Sequence, residues 1–416
     1  MYSWISPDVP LAASSSAAVP QAVSVFDTAT QRLVDLHPSG GVARLYVCGI
    51  TPYDATHLGH ANTYVAFDLL NRAWRDLGLE VNYTQNVTDI DDPLLERAQA
   101  TGQDWEELAS SQIDLFRSDM EALRVIPPQH YIGAVECIAC VTELIGRLRD
   151  TGLVYQIEDA EHPDWYFDVT AAPGFGGLSR LGEEEAIAIF AERGGDPERP
   201  GKRHPLDCLL WRYERPDEPA WHSALGPGRP GWHIECTAIA LKHLGACFDV
   251  QGGGSDLVFP HHEMCAAQAT AVTGLPLASA CVHSGMVALD GEKMSKSKGN
   301  LELVSRLRSR GADPMAIRLA ILAHHYRSDW EWSAEDLAGA EERLRLWRSI
   351  RNDPAALSSD ESIADLRRAM RTDLDAPRAL AIVDAWVAAS LAVDGDDTEA
   401  IDKMFTAVDA LLGVRV

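Results

Sequence analysis

Residues 40–90 read GGVARLYVCGITPYDATHLGHANTYVAFDLLNRAWRDLGLEVNYTQNVTDI. The apolar run at 40–50 is typical of a buried strand, and the apolar residues of 56–78 recur at helical spacing until Gly78 ends the helix. The stretch 79–90 predicts a second strand. A strand, a helix and a further strand in this order indicate a βαβ unit, and therefore an α/β fold with a parallel sheet.

The same pattern returns later in the chain. Residues 232–245 predict a helix, 246–256 a strand that ends in a glycine-rich turn, and 259–274 another helix. Between the two halves, 104–152 predicts two helices separated at Pro127-Pro128. The predicted boundaries are a mobile N-terminal arm at 1–22, the first half of the α/β domain at 23–152, an irregular insertion at 153–230, its second half at 231–290, a loop and contact region at 291–335, and a C-terminal helical domain at 336–416.

The composition excludes several classes of protein. The 416 residues include 36 Lys+Arg and 62 Asp+Glu, for a net charge of −26, and 46% are hydrophobic. Such a chain has ample core, but its charge disfavours nucleic acid and anionic membranes as partners. No run of about 18 apolar residues exists and 1–22 lacks the features of a signal peptide, so we expect a cytoplasmic protein with no membrane partner. Eight cysteines are too few for a disulfide framework.

Two short motifs carry chemistry. Thr56-His57-Leu58-Gly59-His60 lies where a strand becomes a helix, and the backbone N–H groups and dipole at such a helix start attract phosphate. The second motif is Lys293-Met294-Ser295-Lys296-Ser297-Lys298, which holds three of the six lysines of the chain. Clustered lysines suit a leaving pyrophosphate. By itself, a histidine at a helix start is more often a cap or a surface group.

Together the motifs resemble HIGH and KMSKS, the ATP-binding motifs of the class I aminoacyl-tRNA synthetases. The resemblance is closer to cysteinyl-tRNA synthetase, whose successive signatures are similar to YVCGITPYDATHLGHANTYVAFD (46–68), NVTDIDD (86–92), GRPGWHIECTAIA (228–240), GGGSDLVFPHHE (252–263) and GEKMSKSKGN (291–300). It implies a Rossmann-like catalytic domain, ATP with Mg²⁺ as substrate, and His57, His60, Lys293 and Lys296 as catalytic residues.

The resemblance also implies a zinc ion. From the residues alone, Cys48, Cys236 and His261 are better explained by core packing. In the resembled family the matching residues hold zinc, which binds the thiolate of the substrate cysteine, and three protein ligands with an open position are typical of such a site. The family's fourth ligand is a glutamate, where this chain has Cys265, so a fourth ligand stays open. The pair Cys137 and Cys140 is interpreted as core.

The pocket for the amino acid and the adenylate follows from the same comparison. Residues at the ends of the predicted strands and at the helix starts would line it: Gly49, Ile50, Thr51, Gly59, Thr63, Asn86, Val87, Thr88, Trp232, Gly254, Ser255 and Asp256, with Val287 contacting adenine through its backbone. Each also has a structural interpretation as a turn, a cap or a core residue.

The C-terminal part departs from a tRNA-charging enzyme. Residues 301–416 contain 15 Lys+Arg and 21 Asp+Glu, a net charge of −6, and we expect no anticodon-binding domain. Pro52 and the string ERGGDP (192–197) resemble the mycothiol ligase family, shortened relatives of the synthetase that join L-cysteine to the amine of glucosaminyl-inositol. This resemblance implies a cysteinyl-adenylate intermediate, release of AMP and pyrophosphate, and no tRNA partner. A cysteinyl-tRNA synthetase is the alternative, and a catalytically silent relative is a third hypothesis, against which the intact His57 and His60 count.

Overall fold

The computed structural model describes residues 1–12, 19–53, 56–289, 291–293, 301–393 and 395–416. The strands are, in chain order, β1 (Val23–Asp27), β2 (Arg32–Leu36), β3 (Val42–Val47), β4 (Glu80–Val87), β5 (His130–Gly133), β6 (Val154–Gln156), β7 (Trp165–Phe167), β8 (Cys208–Tyr213), β9 (Gly228–Pro230), β10 (Phe248–Gly254), β11 (Ala278–Ser284), β12 (Val287–Leu289), β13 (Glu292–Lys293) and β14 (Trp330–Glu331).

The helices follow the same order: α1 (Leu58–Asp76), α2 (Asp92–Thr101), α3 (Trp105–Ala122), α4 (Ile138–Asp150), α5 (Glu183–Glu192), α6 (Trp232–Leu244), α7 (Glu263–Thr273), α8 (Val304–Ser309), α9 (Pro314–Leu322), α10 (Ala334–Ser349), α11 (Asp360–Arg371), α12 (Ala376–Ala392) and α13 (Ala400–Leu412). Within the described ranges, none of them combines the length and the apolar character needed to span a membrane.

A five-stranded parallel sheet forms the centre of the α/β domain. Its strand order is β11-β10-β3-β4-β5, and all neighbouring strands run parallel. Helix α1 connects β3 to β4, so the predicted βαβ unit and α/β fold class are confirmed. The order reverses between β3 and β10, and ligands of such sheets bind where the carboxyl ends of strands flank a reversal of this kind.

The segment predicted as an irregular insertion is more regular than expected. Strands β6, β7, β8 and β9 form an antiparallel sheet in this order, with α5 beside it. The strands are short and separated by Gly- and Pro-rich turns, which hides their alternation in the sequence. The sequence interpretation also missed β5, α2 and β11. Strand β5 follows Pro127 and Pro128 and lies between α3 and α4, where the sequence predicted only a break between two helices.

The N-terminal residues differ from the predicted mobile arm. Trp4 is buried against Phe116 and Tyr131, and its indole N–H donates to the main-chain oxygen of Val125 at 2.7 Å. Residues 13–18 lie outside the described part. Arg117 and Arg124 also donate to the main-chain oxygens of Tyr2 and Asp8, so the first twelve residues are packed on the α/β domain, which an Ala/Ser/Pro-rich composition does not reveal.

Buried charges join the α/β domain to the C-terminal helices. Asp68 of α1 contacts Arg72 and Arg318, and all three side chains are 0% exposed. Arg72 also donates to the main-chain oxygen of Asp409, and Arg318 to that of Leu412, each at 2.7 Å. Both acceptors lie in the last turn of α13, where carbonyl groups lack partners within the helix. The two arginines therefore satisfy the end of this helix.

Candidate active site

A cavity of about 410 Å³ opens at the carboxyl ends of β3, β4 and β10. Its lining combines most of the predicted site residues: Cys48, Gly49, Ile50, Thr51, His57, Gly59, His60, Thr63, Asn86, Thr88, Trp232, Cys236, Gly254, Asp256 and His261. These residues come from distant parts of the sequence. The sheet reversal brings them together, as expected for an α/β fold.

The HLGH motif begins α1. His57 is the N-cap of the helix, and its Nδ1 accepts a hydrogen bond from the backbone N–H of Gly59 at 3.1 Å. The rings of His57 and His60 stack with centroids 3.9 Å apart. A Cβ at Gly59 would lie 2.8 Å from Cε1 of His57, so the glycine is needed for this ring position. The capping interpretation of His57 is thus correct, and it leaves both imidazoles at the cavity wall.

The residues that follow KMSKS are tied to HLGH. The backbone N–H of Leu58 donates to the oxygen of Glu302 at 3.0 Å, and that of Val304 donates to the oxygen of Thr56 at 3.1 Å. Lys293 lies at the end of β13, and Lys296 lies outside the described residues. The described segment after the KMSKS motif therefore runs beside the start of α1.

A polar network fixes the ends of β3 and β4. Oδ1 of Asn86 accepts hydrogen bonds from the backbone N–H of Gly49 at 2.8 Å and from the hydroxyl of Tyr46 at 3.1 Å, and its amide donates to Thr88 at 3.1 Å. On the opposite wall, the hydroxyls of Thr63 and Ser284 lie 2.8 Å apart. Asn86 thus has a structural role at the edge of the cavity.

Cys48, Cys236 and His261 form a buried cluster at the floor of the cavity. One ligand atom from each lies within 4.8 Å of the others. Nδ1 of His261 is 3.0 Å from Nδ1 of His233, whereas its Nε2 is buried and makes no hydrogen bond within the described part of the chain. An imidazole nitrogen left in this way beside two sulfur atoms suits a metal ion such as zinc.

The two thiols of the cluster are electrostatically distinct. Burial raises the pKa of Cys48 well above its usual value. Burial acts in the same direction on Cys236, but the Cys48 thiol and the His261 ring beside it lower the pKa of Cys236 well below its usual value. The pair therefore favours one thiolate before any metal is bound, and a thiolate is the form of cysteine that binds metal.

The other cysteines discussed above take no part in this cluster. The thiol of Cys265 is fully buried and donates to the main-chain oxygen of His233 at 3.3 Å, and burial raises its pKa. Cys137 and Cys140 lie among core residues, as interpreted from the sequence, and the structure joins them as a disulfide.

Some predicted pocket residues lie elsewhere. Val87 and Val287 are buried in the main hydrophobic core, and Ser255 begins a short 3₁₀ turn; none of the three lines the cavity. Five residues of the lining were not predicted: Tyr53, Tyr64, Leu257, Gly285 and Met286. Each lies within a few residues of a predicted one. The sequence could have indicated them only through this closeness to a motif.

Comparison with protein families identifies the domain. Residues 36–342 match the model of the "tRNA synthetases class I (C) catalytic domain". Solved structures agree on the fold. The methionyl-tRNA synthetase of Mycobacterium tuberculosis in complex with methionyl-adenylate has a TM-score of 0.59 at 16% identity and covers 89% of each chain. The LeuRS of Agrobacterium radiobacter K84 in a ternary complex has a TM-score of 0.65 at 11% identity, covering 91% of this chain and 84% of that one.

Relatives of similar length are much closer in sequence. Proteins of Streptosporangium roseum and Thermomonospora curvata, each named "L-cysteine:1D-myo-inositol 2-amino-2-deoxy-alpha-D-glucopyranoside ligase", are 60% and 57% identical and cover 100% of both chains. A protein of Kribbella flavida with the same name is 55% identical over the same share. The chain therefore belongs to this family of cysteine ligases, enzymes built on the catalytic domain of the class I aminoacyl-tRNA synthetases.

Proposed function

We propose that this enzyme joins L-cysteine to the amine of glucosaminyl-inositol in two steps, through a cysteinyl-adenylate, and releases AMP and pyrophosphate. The observation that carries the proposal is a shared cavity. The HLGH histidines and the cluster of Cys48, Cys236 and His261 line the same 410 Å³ space, so a nucleotide and a thiol amino acid would lie side by side. The names of the relatives supply the acceptor.

In the first step, the carboxylate of cysteine attacks the α-phosphorus of ATP. His57 and His60 would contact the nucleotide phosphates, and the backbone at the start of α1 adds partial positive charge. Lys293 and Lys296, with Mg²⁺, would neutralise the leaving pyrophosphate. Because this charge develops mainly in the transition state, the lysines would act on the rate of the step more than on binding.

Cys48, Cys236 and His261 would hold a zinc ion, with a position left for substrate. A zinc ion held there would supply a ligand bond to the thiolate of the substrate cysteine, and would thereby distinguish cysteine from serine. The chain's own residues orient the ligands. His233 occupies Nδ1 of His261, and the indole of Trp232 stacks on the same ring at 4.4 Å, so that Nε2 is the nitrogen left for the metal.

In the second step, the neutral amine of glucosaminyl-inositol attacks the activated carbonyl, the bond from this carbon to the phosphate oxygen breaks, and the amide forms as AMP leaves and the amine loses a proton. A single sugar amine and a neutral inositol need no positively charged surface, in agreement with the net charge of −26 and of −6 in residues 301–416. We therefore expect no tRNA partner, and we propose a cytoplasmic location.

The test compares two acceptors in separate reactions. Purified protein with ATP and cysteine is offered glucosaminyl-inositol or cysteine tRNA, and the products are identified by mass. We expect the amide with the sugar, AMP and pyrophosphate, and no aminoacylated tRNA. Exchange of labelled pyrophosphate into ATP that requires cysteine, with no acceptor present, would support the adenylate.

Serine in place of cysteine is the matched control for the substrate, and it should give no exchange. A titration of labelled tRNA at low salt, where phosphate contacts are strongest, completes the experiment. Micromolar tRNA binding with cysteine attached to its 3′ end, and no sugar amide, would favour the synthetase. Amide formation without pyrophosphate exchange would contradict the adenylate only.

A further inference from the structure

A chain of hydrogen bonds leads from Cys48 to the N-terminal hairpin. Nε2 of His262 is 3.1 Å from Sγ of Cys48, and Nδ1 of His262 is 2.8 Å from Nε2 of His283. Nδ1 of His283 is in turn 2.7 Å from the hydroxyl of Thr28, in the turn between β1 and β2. His262, His283 and Thr28 do not line the cavity, so this series of hydrogen bonds lies behind the candidate metal-binding residues.

The rings have little freedom to leave this arrangement. His262 is 0% exposed and His283 is 7% exposed. A Cβ at Gly253 would lie 2.9 Å from Cε1 of His262, so the absence of a side chain there makes room for the ring. Thr28 is fixed as well, because its backbone N–H donates to the oxygen of Cys281 at 2.8 Å.

The direction of these hydrogen bonds follows from the chemistry of the first group. A cysteine thiolate that binds a metal has no proton, so Nε2–H of His262 must donate to it. A neutral imidazole has one donor and one acceptor, so Nδ1 of His262 accepts from Nε2–H of His283. Nδ1 of His283 then accepts from the hydroxyl of Thr28. Every donor in the series points toward Cys48.

We propose that His262 and His283 are positioning residues for the metal site, and that Thr28 fixes both as the Nε2–H tautomer. The series orients the Cys48 sulfur, as carboxylates and carbonyls orient metal-bound histidines. This inference rests on the proposed metal role of Cys48. It adds that Thr28, in a hairpin outside the cavity, influences how tightly the site binds the metal.

The main test reads the tautomers directly. Nitrogen–proton correlation spectra of the full chain, labelled with ¹⁵N in histidine and loaded with zinc, distinguish protonated from bare ring nitrogens. Variants His262→Gln and His283→Gln assign the two signals. We expect Nε2–H and bare Nδ1 in both rings. A proton on Nδ1 of either ring in the wild-type spectrum would overturn the proposal.

The second readout is zinc affinity, measured by competition with a chelator. His262→Phe removes the donor and should weaken zinc binding about 10–100-fold, whereas His262→Gln keeps an N–H group and should recover most of it. Thr28→Val removes one hydroxyl and should weaken binding about fivefold, the loss expected for one neutral hydrogen bond. Thr30→Val, in the same turn but exposed, is the matched control and should have no effect.

The outcomes separate this proposal from the proposed function. A wild-type chain that binds no zinc would overturn the metal role of Cys48 and, with it, this inference. Zinc binding that Thr28→Val and His262→Phe leave unchanged would overturn the inference alone. Both are supported if the wild-type enzyme makes the sugar amide and zinc affinity falls slightly in Thr28→Val and strongly in His262→Phe.

Discussion

The guanidinium of Arg193 donates to the main-chain oxygen of Asp256, in the loop that follows β10. The same group also donates to the oxygen of Phe259, two residues before His261. Arg193 belongs to the ERGGDP string of the insertion, which as a sequence was equally consistent with a plain turn. Arg193 therefore fixes the backbone at Asp256, which lines the cavity, and at Phe259, close to His261.

Arg193→Met should therefore slow adenylate formation. A hydrogen bond from a charged group contributes about 1.5–3 kcal/mol, and a loss of this size in the positioning of the site should lower cysteine-dependent pyrophosphate exchange about tenfold to a hundredfold. Arg203→Met is the control, because Arg203 is 58% exposed and pairs with Asp168 within the insertion. Equal exchange rates in both variants would show that the hydrogen bonds of Arg193 have no effect on the site.

Gly59→Ala should inactivate the enzyme without unfolding it. The added Cβ would lie 2.8 Å from His57, so the ring must leave its capping position, and we expect at least a tenfold loss of exchange, about 1.4 kcal/mol of barrier. Gly339→Ala in α10 is the matched control, since nothing lies within 4 Å of the added Cβ. It should raise the free energy of unfolding by about 0.5–1 kcal/mol and leave exchange unchanged.

Lys296→Ala should raise the barrier to adenylate formation by about 2–4 kcal/mol and change cysteine binding little, because its charge would act chiefly in the transition state. Pyrophosphate exchange gives the rate, and protection of the chain by cysteine against heat gives the binding. Lys403→Ala, a surface lysine paired with Glu399, should behave as wild type. A variant with normal exchange would exclude Lys296 from the reaction.

Zinc should be present at one ion per chain in protein purified without added metal. Cys236→Ser should lose it, because a hydroxyl is a far weaker zinc ligand than a thiolate. Cys247→Ser, which changes a cysteine outside the cluster, should keep it. Metal analysis of the three proteins is the measurement, and a fully active metal-free enzyme would contradict the assignment.

Asp68→Asn should destabilise the whole chain by about 3–5 kcal/mol, because it leaves Arg72 and Arg318 buried without a counter-charge. The desolvation of Arg318 already lowers its pKa to about 10. Burial alone would raise the pKa of Asp68, but the two arginines lower it below its ordinary 3.8. Its contribution is therefore complete above about pH 4, and is lost as the pH falls through the lowered pKa.

Denaturant unfolding at pH 7 and at decreasing pH checks this. The difference between wild type and Asp68→Asn should persist at neutral pH and decrease only in acid. Asp365→Asn is the control, since Asp365 is 38% exposed and pairs with Arg368 one turn away on the same helix. It should cost no more than about 1 kcal/mol. Equal losses in the two variants would contradict the role of burial.

The parallel sheet was predictable from the sequence because its strands are nearly continuous apolar runs and α1 has a clear helical period. The two motifs were recognisable from residue type and spacing, whereas the grouping of Cys48, Cys236 and His261 followed only from the family resemblance, since a buried cysteine is usually a core residue. Arg193 could not be placed, since its partners are main-chain oxygens and leave no trace in residue type. The same holds for Trp4, because one apolar residue in a short terminal segment carries no periodicity.

The arginines that cap α13 have a consequence for protein engineering. Arg72 belongs to α1 and Arg318 to α9, yet both use the final carbonyl groups of the C-terminal helix. A nucleic-acid-binding domain that replaced the last helix would have to present two carbonyl oxygens at the same points. Without them, two guanidinium groups would be buried away from water with hydrogen-bond donors left unpaired. The helical region is therefore not an interchangeable module, and recombination between relatives should succeed only at junctions that inherit α1, α9 and α13 from one parent.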